Sequence, residues 1–232
     1  TVAIVSDSGA DLPEDEIERL SIHRVPLRLN IGDQEYLDGI SLSPDELYER
    51  VGAGTEHPQT SQPPPGDFRR QYELLTSHGY EVISLHLSGR LSGTLQAAQS
   101  AASRHDADRV HIYDTHNASS GHGLMAMLAA EAASAGLDTA AVLNLLDQRR
   151  DLTQTFAVLK DMTWGVRGGR IPAWAQRIAQ WLRLQVILAN TPDGLLKAKG
   201  AIIAKPDLVP GFARWLLKRM DKDTMYRWMI SH

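Results

Sequence analysis

The segment LHLSGRLSGTLQAA, residues 85–98, has the makings of an anion site. An apolar run ends in a loop of Ser and Gly, and the loop feeds an Ala-rich helical stretch. Ser88, Ser92 and Thr94 supply hydroxyls, while Gly89 and Gly93 let the backbone approach a ligand. A helix start adds unpaired N–H groups and the positive end of the helix dipole. That combination holds a carboxylate or a phosphate. The competing reading is that Ser92 only caps the helix. A nucleophilic Ser92 would need a general base within reach, and nothing in the sequence designates one; G-x-S-x-G is absent.

Three further polar loops follow the same logic. PQTSQPPP (58–65) presents Thr60 and Ser61 between prolines, either preorganised against a ligand or part of a rigid connector. SDSGADLP (6–13) places Asp7 after an apolar run, where it coordinates a cation, orients a partner or caps a turn. DTHNASSGHG (114–123) is the last of the four. WGVRGGRIP (164–172) sets Arg167 and Arg170 around two glycines, which suits an anionic group or an acidic partner, or else a tight turn into a helix opened by Pro172. GHGLMA (121–126) matches the loose pattern G-x-G-x-x-A but lacks the later strand ending in an acid, so a dinucleotide site is not expected. The P-loop pattern is absent, and the nine His show neither H-x-H nor H-E-x-x-H, so no zinc site is expected.

The elements that must position these loops alternate in type. TVAIV (1–5), residues 22–29, VISLHL (82–87) and VHIYD (110–114) read as strands. Helical stretches lie between them: one opened by Pro13, one by Ser43-Pro44, then residues 68–75, 92–104 and a run through LMAMLAAEAA. Strands alternating with helices predict a mostly parallel sheet covered on both faces, with the polar loops gathered at one edge. The last third differs. Residues 153–159 read as a strand, and VILAN (186–190) and LLKAKGAI (195–202) as a hairpin about Pro-Asp-Gly. Trp174, Ile178, Trp181 and Leu182 make one helical stripe, and Phe212, Trp215, Leu216 and Met220 another. Residues 225–230 read as a final strand, and the Trp residues as core. Two domains are expected, an α/β unit at 1–151 and a smaller α+β unit at 152–232.

Composition bounds the function. The 232 residues carry 24 Lys plus Arg against 28 Asp plus Glu, a formal charge of −4. No basic stripe for nucleic acid is visible. The chain has no Cys, which excludes disulfides, Cys-ligated zinc, iron–sulfur clusters and thiol catalysis. No uninterrupted apolar run reaches about 18 residues, so no membrane-spanning helix is expected, and cytoplasmic location is the default.

The stretches IVSDSGADLP, VPLRLNIGDQEYLDGI, PQTSQPPPGDF, ISLHLSGRLSGTLQAA, IYDTHNASSGHG and VRGGRI occur in the order seen in the DegV family of bacterial fatty-acid-binding proteins, which includes the FakB subunits of fatty acid kinase. The chain resembles that family from residue 1 to about residue 200. The resemblance implies an α/β, two-domain DegV-like fold with a ligand tunnel between the domains. It implies no catalysis by the chain itself and no cofactor. The implied ligand is a long-chain fatty acid such as palmitate, stearate or oleate, shown to a separate ATP-dependent kinase subunit that makes the acyl phosphate. The carboxylate contacts fall on Thr60, with Ser61 beside it, and on Ser92, supported by the Gly93 and Thr94 N–H groups. Ser88, Arg167 and Arg170 are candidate ligand or partner contacts. Gly89 stands where the family commonly has Ser, Pro64-Pro65 where it has Pro-Ser, and Lys199 where it has Arg. Relatives are expected to continue beyond His232 into a stretch with a further His near the carboxylate. The alternatives are an enzyme of small anionic metabolites and a lipid carrier or sensor with no kinase partner.

Overall fold

The structure is a computed structural model that describes residues 1–52, 57–105, 108–159, 162–169, 171, 173–203 and 208–231. In chain order its elements are β1 (Val2–Asp7), α1 (Glu14–Arg19), β2 (His23–Val25), β3 (Arg28–Ile31), β4 (Gln34–Leu37), α2 (Pro44–Gly52) and β5 (Gln59–Ser61). Then come α3 (Pro65–Ser77), β6 (Glu81–His86), α4 (Thr94–Ala102), β7 (Val110–Asp114), α5 (Ser119–Ser134) and α6 (Thr139–Arg150). The last third holds β8 (Phe156–Val158), α7 (Thr163–Arg167), α8 (Ala173–Trp181), β9 (Leu184–Asn190), β10 (Leu196–Ile203) and α9 (Val209–Leu217).

The first layer is a four-stranded parallel sheet in the order β2-β1-β6-β7. Strand residues alternate between its faces. Ile4, Ile83 and Leu85 point to one side, where Met125, Ala126 and Ala129 of α5 and Val142 and Leu146 of α6 cover them. Ala3, Val5 and Val82 point to the other, beneath Phe68 and Tyr72 of α3 and Ala97, Ala98 and Ala101 of α4. The alanines let α4 lie close to the sheet. Phe68 and Tyr72 are wholly buried, and each contributes roughly 1.5–3 kcal/mol by leaving water. The proline run acquires a plain purpose: Pro65 opens α3, where a missing N–H costs nothing.

Residues 22–29 are not one strand. His23–Val25 joins the parallel sheet, whereas Arg28–Ile31 turns into a second, antiparallel sheet of order β4-β3-β5. Pro26 interrupts the run, and a proline cannot donate to a ladder. The TSQP motif lies at the end of this second sheet, with Thr60 opposite Leu29.

The third sheet is antiparallel, in the order β10-β9-β8, and begins at Phe156 rather than at residue 153. Its hairpin forms as expected. Thr191 N–H donates to Leu195 O at 2.8 Å, and Gly194 takes the left-handed backbone (φ +82°) that the turn demands. α8 packs on β9 and α9 on β10. Trp215 lies edge-on to Phe156, with centroids 5.8 Å apart, and beneath Arg219.

Two expectations about this third of the chain fail. Trp181 and Trp228 are 83% and 52% exposed, so they are not core. The side chains of Trp164 and Trp174 lie outside the described residues. Residues 225–231 form no strand. They run as an extended strap along α5, where Arg227 grips Glu131 through two 2.7 Å hydrogen bonds, Met229 covers Gly123, and Ser231 Oγ meets Ser120 Oγ at 2.8 Å. An alternating sequence alone cannot distinguish a strand from a strap bonded by its side chains.

Candidate functional site

The parallel strands β1, β6 and β7 end at one edge of their sheet, so the loops that follow them converge there. The TSQP motif reaches the same place by another route, from β5 of the second sheet. Gln62 connects them. A Cβ placed on Gly93 would stand 1.8 Å from Gln62 Oε1, so the Gln62 side chain occupies the room that the glycine leaves. This juxtaposition puts Gln62, the residue that follows Thr60-Ser61, against the start of α4. Thr60 and Ser61 are exposed, and Asn30 Nδ2 reaches Ser61 Oγ at 3.5 Å.

Ser92 lies at the head of α4. Its Oγ accepts the Thr94 N–H at 3.2 Å and lies 2.9 Å from the buried Thr94 hydroxyl. Ser92 thus satisfies one N–H of the first turn, although the N-cap position itself is Gly93. A hydroxyl has two lone pairs and one proton, so this bond leaves capacity for an anion. The loop and first turn border an open cleft of about 360 Å³ whose wall includes Arg90, Leu91, Ser92, Gly93 and Gln96. Thr60 and Ser61 are outside that wall.

Ser88 has a different setting. It is fully buried, its Oγ accepts the Arg90 N–H at 3.2 Å, and its N–H donates to Asn117 O at 2.8 Å. A Cβ on Gly194 would stand 2.2 Å from Ser88 Oγ, so the tip of the β9–β10 hairpin rests on it. His116 Nδ1 donates to Pro192 O at 2.7 Å beside this contact. Asn117 extends the join, with its Nδ2 on Thr153 O and its Oδ1 accepting from Thr155 Oγ1 at 3.1 Å. The 114–123 loop thus links the parallel sheet to the third sheet.

Arg167 ends α7 and is exposed; its Nη1 lies 2.6 Å from Nδ1 of His57, three residues before Thr60. A helix therefore occupies the start of the WGVRGGRIP stretch. Arg170 and Pro172 lie outside the described residues.

Behind the loops lies a buried polar chain that sequence reasoning saw only at Asp7. Tyr72 OH donates to Ser84 Oγ at 2.9 Å, Ser84 Oγ meets His86 Nε2 at 2.8 Å, and His86 Nδ1 meets Asp7 Oδ2 at 3.0 Å. His122 Nε2 lies 3.1 Å from Ser6 Oγ and 3.5 Å from Asp7 Oδ2. Burial pushes the Asp7 carboxyl up, but His122 and His86 outweigh it and hold it well below the usual carboxylate range. Burial lowers His86 against the pull of Asp7. The alternation of Ser84 and His86 in the apolar run VISLHL is the signal that could have exposed this chain. Gln62 gave none beyond its place after Thr60-Ser61. Among the described residues, no group of three or more His, Cys, Asp or Glu could hold a metal, and no helix is long and apolar enough to cross a membrane.

Parallel-strand loops, a hydroxyl-bearing helix start and the TSQP strand thus meet at one edge of an α/β fold. The family model described as "Uncharacterised protein, DegV family" matches residues 1–231, and the chain belongs to that family. A DegV domain-containing protein of Deinococcus radiodurans is 34% identical over 219 residues, which are 93% of this chain and 78% of that protein. The solved structure of a Thermus thermophilus DegV family protein, presented for its fatty acid binding, superposes with a TM-score of 0.82 at 33% identity, covering 94% of this chain and 77% of that one. The Streptococcus pneumoniae fatty acid kinase B3 protein, loaded with linoleic acid, shares the fold with a TM-score of 0.78 at 22% identity, covering 94% and 78%.

Proposed function

We propose that the chain binds one long-chain fatty acid between an α/β domain at 1–151 and an α+β domain at 152–232. Thr60, Ser61 and Ser92, with the N–H groups of Gly93 and of Thr94 once it is released from Ser92 Oγ, hold the carboxylate. The observation that carries this reading is the seating of Gln62 on Gly93, which ties the TSQP strand to the start of α4. A carboxylate needs several donors, and a helix start offers them without a counter-charge. The acyl chain supplies most of the affinity, at about 0.8 kcal/mol per buried methylene. The likeness to the Thermus thermophilus protein supports this ligand class.

The chain carries out no chemistry on its ligand in this reading. It presents the carboxylate, in the cytoplasm, to a separate ATP-dependent kinase subunit. Residues 152–232 hold 13 Lys and Arg against 5 Asp and Glu, a balance suited to an acidic face on such a partner. Arg167 and Arg170 are the contacts assigned to it.

The first test is to denature the purified protein and identify released lipid by mass spectrometry. An equimolar long-chain acid is the expected result. A protein that emerges empty and takes up neither oleate nor palmitate overturns the reading.

A further inference from the structure

The loop that carries Ser92, Gly93 and Thr94 leaves β6 at His86, where the pairing with β1 has already ended. The next backbone N–H, that of Leu87, has no strand partner. Asp7 takes it: Oδ2 accepts the Leu87 N–H at 3.1 Å, while Oδ1 accepts the Gly9 N–H at 3.0 Å. One buried carboxylate thus ties together the roots of two loops. His86 is fixed on its other side by Thr115, whose Oγ1 donates to His86 O at 2.9 Å. A charged acceptor makes hydrogen bonds about twice as strong as a neutral one, and a fully buried one does not exchange them for water.

We infer that Asp7 is a positioning residue for ligand binding, fixing the root of the loop whose far end presents Ser92, Gly93 and Thr94. The inference rests on the fatty-acid reading for its ligand, but its mechanical content, a clamped Leu87 amide, stands on the geometry alone. Donors held loosely by about 1 Å lose much of their value to an anion.

The decisive variant is Asp7→Asn, which keeps the volume and one acceptor but points an amide N–H₂ at a group that is itself a donor. Ser84→Ala is the control. Ser84 belongs to the same buried chain through Tyr72 and His86 but does not touch the loop. Oleate binding is measured for wild type and both variants, and amide hydrogen exchange is followed at Leu87 and residues 88–94.

Asp7→Asn is expected to weaken oleate binding by about tenfold or more and to speed exchange at Leu87, while Ser84→Ala stays within about twofold of wild type. Unchanged affinity and exchange in Asp7→Asn overturn the inference, as does an equal loss in Ser84→Ala, which would mean general weakening of the sheet. If Asp7→Asn fails to fold, wild-type exchange decides. A Leu87 amide protected as well as those of β6 supports the clamp, and one that exchanges as fast as an open loop refutes it. Wild-type protein that takes up no oleate counts against the fatty-acid reading, and the exchange result still judges the clamp.

Discussion

Gln62 rests on Gly93, its amide filling the space that any larger residue at 93 would claim. Gly93→Ala therefore forces the two apart. The clashing atoms are the far end of an exposed, flexible side chain that can swing aside, so the expected cost is small, about 0.5–1 kcal/mol of stability. Truncating Gln62 to Ala in the same chain should recover most of it. Denaturant melts of the two single variants and the double variant measure this; strictly additive losses would show that the side chains do not compete for one space.

Thr60 on β5 lies two residues from Gln62, and Ser92 in the loop before α4 is next to Gly93. Thr60→Ala with Ser92→Ala should weaken fatty-acid binding while the fold survives. Thr60 is exposed, and the hydrogen bond lost at Ser92 is worth only about 1 kcal/mol. Calorimetric titration with oleate reports the affinity and circular dichroism the fold. Full affinity in the double variant would remove both hydroxyls from the carboxylate site.

Arg167 lies on the exposed end of α7, beside His57. Reversal to Glu should impair acyl phosphate formation by an added kinase subunit more than it impairs oleate binding. Equal loss of both would place Arg167 in the binding site or in the support of the TSQP segment.

Acid should destabilise the protein in two stages. Burial holds His23 and His86 below the ordinary His value, so the unfolded chain binds their protons first and stability falls as pH drops below about 6.5. Asp7 is held low, so its contribution is present above about pH 3.9 and is lost on further acidification. Asp11, raised by burial against its bond to Ser119, works in the opposite sense over the acid range. Thermal melts from about pH 8 to about pH 2 should show Tm declining below neutrality and again in the acid range, with a shallower first stage in His86→Gln. A flat profile would contradict the burial of these histidines.

Much of this arrangement was readable from residue types. The parallel layer follows from β-branched runs alternating with helical ones, and the hairpin from Pro-Asp-Gly. Ser92 and Thr94 declared a helix start by their spacing. What could not be read depends on distant pairings. The apolar pattern of residues 22–29 is the same whether it serves one sheet or two, and only the partners of Arg28–Ile31 decide. Ser88 has the same composition as its neighbours in the loop, yet Gly194, more than a hundred residues on, covers it. The exposure of Trp181 and Trp228 is likewise a matter of what packs against them, which neither a helical stripe nor an alternating run states.

The strap of residues 225–231 gives the chain a return visit to the layer where it began. Residues some hundred positions apart are joined there by the Arg227–Glu131 pair and by Met229 over Gly123. A contact of that span closes a long loop, and its entropic cost must be met before the contact gives anything back. The parallel layer draws all its strands from the first half of the chain, so the strap is a late-sequence clasp laid across a layer whose own strands do not need it.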